Sequence, residues 1–165
     1  MASDNMIHNI RTRQGFSDAV TENRGLLFSV SFSILHDQEL CADAVQTALE
    51  KAWNKRGSLR DREKFKGWLV KIVMNESKTI LKKPRPNPLP EDIPIEQFGH
   101  EVKMDVANAV FKLSEKYRIP VVLFYFEDMP ISEIASMLEL PKGTVVSRLS
   151  RAREHLRKEL ADYGV

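Results

Sequence analysis

Five prolines fall within residues 84–100 (PRPNPLPEDIPIEQFGH), and this segment limits the possible folds more than any other part of the chain. Proline has no backbone N–H to donate and has a fixed φ, so this density rules out a continuous helix or a central strand. The segment is therefore expected to be an extended, acidic linker, with a separate folded domain on each side of it.

Both flanking regions have the apolar spacing of α-helices. Three long helical patterns precede the linker, at about 16–35, 38–55 and 64–83, and Asp37 is a suitable N-cap for the second. Beyond the linker, the pattern resumes near Asp105. The apolar run 119–126 has the composition of a buried strand, but its length and the lack of a pairing strand favour a core helix.

The sequence thus predicts an all-α protein with two small helical domains joined by an extended Pro-rich linker. No stretch alternates as a half-exposed strand does. Four segments are expected: a flexible N-terminus at 1–15, a helical domain at 16–83, the linker at 84–104, and a second helical domain at 105–165.

Residues 130–160 predict a helix-turn-helix within the second domain. A short apolar stripe ends at a break that contains Pro141, and a longer stripe then runs from Val145 to Leu160. Between Lys142 and Lys158 there are six Lys or Arg against one Glu. A charged face that only keeps a helical hairpin in solution is the alternative, but such faces more often alternate Glu with Lys.

The mixture of arginines and hydroxyls on the second helix favours DNA binding. Arg can bind guanine with two hydrogen bonds, and Ser or Thr hydroxyls suit bases or phosphates. The helix is therefore expected to lie in a DNA major groove. Its candidate contacts are Lys142, Thr144, Ser147, Arg148, Arg151 and Arg153.

A second basic block lies before the linker. Residues 51–83 contain eleven Lys or Arg against three Asp or Glu, with aromatic side chains between them. Basic grooves with aromatic platforms hold unpaired strands, although Trp53 and Trp68 lie on or beside apolar stripes and suit the core better. The candidate contacts are Arg56, Arg60, Arg62, Lys64, Lys71 and Lys78.

The preceding helix carries Glu39, Asp43, Gln46 and Glu50. Phosphates would repel this surface, so a basic protein partner is expected there.

The sequence lacks the residues and motifs that are typical of most other functional classes. Cys41 is the single cysteine, so an intrachain disulfide is impossible and a cytoplasmic location is expected. The four His residues lack metal-ligand spacing, and neither a Gly-rich phosphate loop nor a nucleophile motif occurs. We expect no catalytic residues, metal, cofactor or small-molecule substrate, and hence no enzyme.

The chain resembles bacterial sigma factors of the extracytoplasmic-function (ECF) group. DQELCADAVQTALEKAW is similar to the family's polymerase-docking helix, and FKGWLVKIVMN to its promoter-facing helix. LSEKYRIPVVLFYFEDMPISEIASMLELPKGTVVSRLSRAREHLRKEL is similar to the family's C-terminal domain almost throughout. The string that fits GTVxSRLxRARExLR is quite specific.

This resemblance implies a transcription initiation factor that binds core RNA polymerase and directs it to promoters. The acidic helix would dock on the polymerase. The second basic block, with Asn75 added to its contacts, would capture the minus-ten element, and the helix-turn-helix would read the minus-thirty-five element. An anti-sigma factor is a further expected partner, which could hold the protein at the membrane. Outside these complexes the protein is expected to be a monomer.

Three positions depart from the family pattern. Ala42 and Thr47 stand where acidic residues are usual, and Val146 stands where a basic residue is common. Docking would therefore depend more on Asp43 and Gln46, and the promoter sequence is left open. The alternative is a stand-alone helix-turn-helix regulator whose residues 1–83 sense a signal or dimerise.

Overall fold

The computed structural model describes residues 9–84 and 104–162, with Met104 described by its backbone alone. The two described parts are called here the N-terminal half and the C-terminal half. Residues 1–8, almost all of the predicted linker and residues 163–165 lie outside the described residues. The helices are α1 (Arg13–Leu35), α2 (Gln38–Lys55), α3 (Phe65–Leu81), α4 (Met104–Lys112), α5 (Glu115–Val121), α6 (Ile131–Leu138) and α7 (Lys142–Ala161).

These elements confirm the predicted all-α class, because the two described parts contain helices and turns without a strand. Two 3₁₀ turns, Arg56–Ser58 and Arg62–Lys64, connect α2 to α3. A wide π-helical turn, Val122–Phe126, continues α5.

The N-terminal half is a three-helix unit in which α1, α2 and α3 contact one another. The bounds of α2 match the predicted ones, and the Asp37 side chain caps it by accepting from the Leu40 N–H at 3.0 Å. Between α1 and α3, the buried hydroxyls of Ser31 and Ser77 share a hydrogen bond of 2.9 Å. This bond satisfies two polar groups that would otherwise be costly inside an apolar core.

The start of α1 extends into the segment predicted to be flexible. Thr12 is the N-cap, since its hydroxyl accepts from the Gly15 N–H at 3.1 Å and donates to the Asn9 carbonyl at 2.8 Å. Ile10, in the same turn, is buried against the core. Residues 9–15 are therefore part of the N-terminal half.

The C-terminal half contains the predicted helix-turn-helix in α6 and α7. Glu139, which ends α6, has a left-handed backbone (φ 55°), and the Leu140 N–H closes the turn on the Ala135 carbonyl at 2.9 Å. Val145, Leu149 and Ala152 are the buried residues of α7, which confirms the predicted stripe over these turns. The opposite side of α7 is left exposed.

The apolar run 119–126 is helical, as predicted, although Pro120 lies inside α5. Proline has no N–H, so the Lys116 carbonyl receives no helical bond from residue 120. Buried Arg118 helps to hold α5 in place by donating to the Phe111 carbonyl of α4 at 2.8 Å. Burial lowers the pKa of this guanidinium.

The two halves also contact each other, which the sequence does not predict. Phe111 of α4 packs edge-on against Phe32 of α1 at 5.4 Å and against His36 at 4.6 Å between ring centroids. On another side, α3 contacts α6 near Gly67 and Met137. The apolar core is therefore continuous between the halves.

Gly15 provides a direct test of the N-terminal turn. A Cβ atom at Gly15 would lie 2.2 Å from the Asn9 carbonyl oxygen, whereas a Cβ at Gly25 of the same helix would meet nothing within 4 Å. We expect Gly15→Ala to lower the free energy of unfolding by about 1–3 kcal/mol, as overpacking does. Gly25→Ala should raise it by about 0.5–1 kcal/mol through helix propensity. Urea denaturation followed by circular dichroism measures both, and equal effects would contradict the described turn.

Candidate nucleic-acid and protein interfaces

Four predicted DNA contacts of α7 come together in one groove. Thr144, Ser147, Arg148 and Arg151 line it, together with Gly143. Their spacing places them along one flank of the helix, beside its buried stripe, where Ser147 and Arg151 are exposed and Thr144 and Arg148 are partly buried. The groove has a volume of about 310 Å³, and no acidic residue lines it. It is a cationic surface with hydroxyl donors, and this arrangement suits the phosphates and bases of DNA.

The other two predicted contacts of α7 lie outside this groove. Lys142 is exposed at the first position of the helix. Arg153 donates to the Tyr125 hydroxyl at 3.2 Å, and this bond draws its guanidinium toward the π-helical turn. Val146, the departure from the family pattern, is 47% exposed and offers DNA an apolar contact only.

Sequence reasoning missed two residues of the groove, Lys116 and Tyr117 of α5. The Tyr117 ring lies 5.6 Å from the His155 ring, and the Lys116 ammonium lies 4.9 Å from the centre of the Tyr117 ring. A hydrogen bond from the Arg151 side chain lowers the pKa of the Tyr117 hydroxyl. The sequence carries no local signal for this pairing, because α5 and α7 meet only through the tertiary fold.

The predicted downstream contacts on α3 are mostly paired with acids of the C-terminal half. Lys71 bonds Glu139 at 2.7 Å, and Lys78 lies 3.1 Å from Glu115. A third pair joins Lys66 of α3 to Glu133 of α6 at 2.9 Å. We call these three pairs the inter-half ion pairs. Asn75 lies exposed on the same helix.

The remaining downstream candidates lie in the segment between α2 and α3. The Arg56 guanidinium stacks 3.4 Å above the centre of the Trp53 ring and donates to the Trp53 carbonyl at 2.6 Å. Arg60 is exposed, and exposed Arg62 and Lys64 line a cleft of about 520 Å³ between the halves. The seven downstream candidates therefore do not form one continuous surface in this arrangement.

Both tryptophans pack against core aromatics. Trp53 is partly buried and meets Phe16 edge-on at 5.3 Å between ring centroids, and Trp68 lies 5.9 Å from Phe65. These contacts favour a role for both tryptophans in the core over a role as stacking platforms for unpaired bases. Both residues are partly exposed.

The four predicted polymerase contacts form an exposed stripe along α2. Their spacing of four, three and four residues keeps them on one helix face. All four side chains are exposed: Glu39, Asp43, Gln46 and Glu50. No described residue forms an ion pair with this stripe. Its negative charge is thus available to a basic partner.

None of the helices in the two described parts combines the length and the apolar character needed to cross a membrane.

Two family models match this chain, one in each half. The Sigma-70 region 2 model matches residues 19–85, which span α1 to α3. The Sigma-70 region 4 model matches residues 103–156, from the start of α4 into α7. Together they cover most of the chain.

Curated relatives are similar in sequence to this chain over two thirds or more of their length. The ECF RNA polymerase sigma-E factor of Escherichia coli strain K12 is 30% identical, over 68% of this chain and 69% of that protein. The chain belongs to the ECF sigma factors. Another relative, the ECF RNA polymerase sigma factor SigW of Bacillus subtilis strain 168, is 27% identical over 91% of each protein.

Solved structures share the fold of this sigma factor. RpoE from Bartonella quintana, solved with the anti-sigma factor NepR, matches with a TM-score of 0.71 at 24% identity, over 90% of this chain and 98% of that one. CnrH, solved with the cytosolic domain of CnrY, matches with a TM-score of 0.73 at 24% identity, over 92% and 90%.

Family membership decides between the two functional hypotheses. The chain is a transcription initiation factor that directs RNA polymerase to promoters. The stand-alone regulator assigned sensing or dimerisation to residues 1–83, but most of this segment matches sigma region 2 instead.

Proposed function

We propose that the chain divides promoter recognition between its halves: α2 docks on core polymerase, α3 and the segment before it engage the minus-ten element, and α7 reads the minus-thirty-five element. The observation that supports this division is the separation of charge. An exposed acidic stripe on α2 and two sets of cationic residues lie on different elements, so the three contacts use different side chains.

Docking through α2 depends on Glu39, Asp43, Gln46 and Glu50. Positions 42 and 47 are Ala and Thr rather than acids. The negative charge of the stripe therefore comes from three carboxylates, those of Glu39, Asp43 and Glu50. Opposite charge on a partner would steer encounter and fix the register of the complex.

The downstream element would meet the N-terminal half. Arg60, Arg62 and Lys64 would hold phosphates, while Asn75 offers an amide that can hydrogen bond an unpaired base. Extruding a base from the duplex costs a few kcal/mol, and its binding can offset that cost. Arg56 would act differently, because its guanidinium already stacks on Trp53.

The inter-half ion pairs occupy two of the proposed downstream contacts. Lys71 and Lys78 cannot bind phosphates fully while Glu139 and Glu115 hold them. We therefore propose that the halves separate when the protein engages the minus-ten element. All six side chains of the pairs are at least one-third exposed, and such pairs contribute about 0.2–1 kcal/mol each. The apolar contact of Phe111 with Phe32 adds to this cost, and contacts with polymerase and promoter would have to offset both.

An anti-sigma factor is the proposed inhibitory partner. Support comes from the two structural neighbours, both solved with anti-sigma factors or their cytosolic part. We place the chain in the cytoplasm, where core polymerase and promoters are found, with an anti-sigma factor able to retain it at the membrane.

A charge reversal on α2 tests docking. Asp43→Lys should weaken holoenzyme assembly by at least tenfold, because a cation would face the basic partner surface. The measurements are pull-down of core polymerase and run-off transcription from a cognate promoter. Asp162→Lys, an equal charge change at the exposed end of α7, is the control and should assemble normally. Unchanged assembly of Asp43→Lys would mean that the docking face is misplaced, and failure of the wild-type chain to support run-off would overturn the proposal.

Two arginines of α7 should differ in upstream recognition. Arg148→Ala should cost about 1–3 kcal/mol in holoenzyme binding, and the loss should vary when single base pairs of the upstream element are changed. Arg153→Ala should cost less, since that guanidinium bonds Tyr125 outside the groove. Footprint titration on a panel of promoter variants gives both values. A uniform loss for Arg148→Ala would make it a phosphate contact.

Neutralising the acids of the inter-half ion pairs tests separation of the halves. The triple variant Glu115→Gln, Glu133→Gln, Glu139→Gln should increase the radius of gyration and strengthen binding of the free protein to single-stranded minus-ten DNA severalfold, because Lys71 and Lys78 are released. X-ray scattering and fluorescence anisotropy provide the measurements.

The matched control for this variant is Glu127→Gln, Glu154→Gln, Asp162→Asn. It removes three charges from the same half, but from residues that form none of the inter-half pairs. Equal gains in both variants would indicate a net-charge effect and contradict the proposed separation.

A further inference from the structure

The groove between α5 and α7 contains two side chains that the helix-turn-helix pattern does not account for. Lys116 and Tyr117 come from α5, which precedes the helix-turn-helix, yet they line the same groove as Arg148 and Arg151. Three cations and a phenolic hydroxyl thus converge on one space, and no carboxylate lines it. This charge balance suits an anion.

Tyr117 is held in a defined position on the groove wall. Its ring lies beside that of His155, the Lys116 ammonium lies 4.9 Å from the ring centre, and Arg151 lines the same groove. The Arg151 side chain lowers the pKa of the Tyr117 phenol, which makes its O–H a better donor to an anionic oxygen. The donors of this groove are therefore arranged before any ligand arrives.

The position of α5 indicates which anion binds. A helix seated in the major groove places its neighbouring helix beside the sugar–phosphate backbone, because phosphates line the edges of the groove. Base edges lie deeper and are within reach of α7 itself. The side chains of α5 would therefore meet phosphate oxygens.

We propose that Lys116 and Tyr117, with Arg151, bind a DNA backbone phosphate that flanks the upstream element and thereby fix the register of α7 in the major groove. This inference rests on the proposed upstream role of α7. It assigns to α5 a contact that carries no sequence information, while α7 reads the bases.

A phosphate contact does not depend on base sequence, so an arbitrary 20-base-pair duplex is a suitable probe. The full chain would be titrated with the labelled duplex at several salt concentrations. Each phosphate contact contributes about 0.9 to the slope of log K against log[salt]. Lys116→Gln should reduce that slope by about one and weaken binding at low salt by about three- to tenfold. Tyr117→Phe should weaken binding about two- to tenfold, since it removes one hydrogen bond.

Arg157→Gln is the matched control. It removes one positive charge from an exposed residue of α7 that lies about two and a half turns beyond Arg148, on the opposite face of the helix and outside the groove. It should leave the slope nearly unchanged. An equal change in slope for Lys116→Gln and Arg157→Gln would overturn the proposal, as would wild-type affinity of Tyr117→Phe in a variant with an unaltered circular dichroism spectrum.

The test is independent of the division of promoter recognition. If run-off transcription failed while Lys116→Gln still reduced the slope, the phosphate site would stand and the proposed promoter role would fail. If run-off transcription succeeded and Lys116→Gln had the same salt slope as the wild-type chain, the phosphate contact from α5 would be refuted while the promoter role of α7 would stand.

Discussion

The packing of Phe111 against Phe32 and His36 determines which charged surfaces of this chain are exposed. This contact places α4 on α1 and sets the C-terminal half beside α3. Once the halves meet there, the glutamates of α5 and of the helix-turn-helix face the lysines of α3. The apolar contact thus brings together charges that the sequence separates by dozens of residues.

The lysines of α3 consequently have two possible kinds of partner. In the described arrangement they meet carboxylates, and in a promoter complex they would meet phosphates. Both interactions are electrostatic and largely exposed, so each weakens as salt rises. What differs is the geometry: a carboxylate of this chain is held near by the fold, whereas DNA must be held near by polymerase and by α7. Joining the contacts through one chain raises the effective concentration of each for the others, provided that the linker can span the sites.

Much of the fold could be predicted from sequence because helices are encoded locally. The apolar stripes, the Asp37 cap and the break at Pro141 each lie within a few turns of the helix that they define, and α2 begins and ends where its pattern does. The turn before α1 was missed, since it depends on one close approach of Gly15 to Asn9. The DNA face of α7 was proposed on the same local ground and stays a prediction, although four of its residues share one groove.

What sequence reasoning could not find depends on how helices are placed against one another. Lys116 and Tyr117 enter the groove of α7 because Arg118, their neighbour, is anchored to α4 and holds α5 in register. Arg153 was grouped with Arg148 and Arg151 because of its charge, but it is turned toward Tyr125. Its place two residues after Arg151 already puts it on another side of the helix. Spacing gives the direction of a side chain from its own helix axis. It does not give the atoms of the neighbouring helix that the side chain meets.

The exposed surfaces imply an order in which the proposed contacts form. In the described arrangement the acidic stripe of α2 and the groove of α7 are both accessible, while Lys71 and Lys78 are engaged by Glu139 and Glu115. Docking on polymerase and binding of the upstream duplex can therefore begin without any rearrangement. Binding of the unpaired downstream strand requires the halves to part first. Parting the halves breaks the inter-half ion pairs, which are individually weak, and also exposes the apolar contact of Phe111 with Phe32. The first two contacts would have to offset both costs. Promoter melting would thus follow docking and duplex recognition.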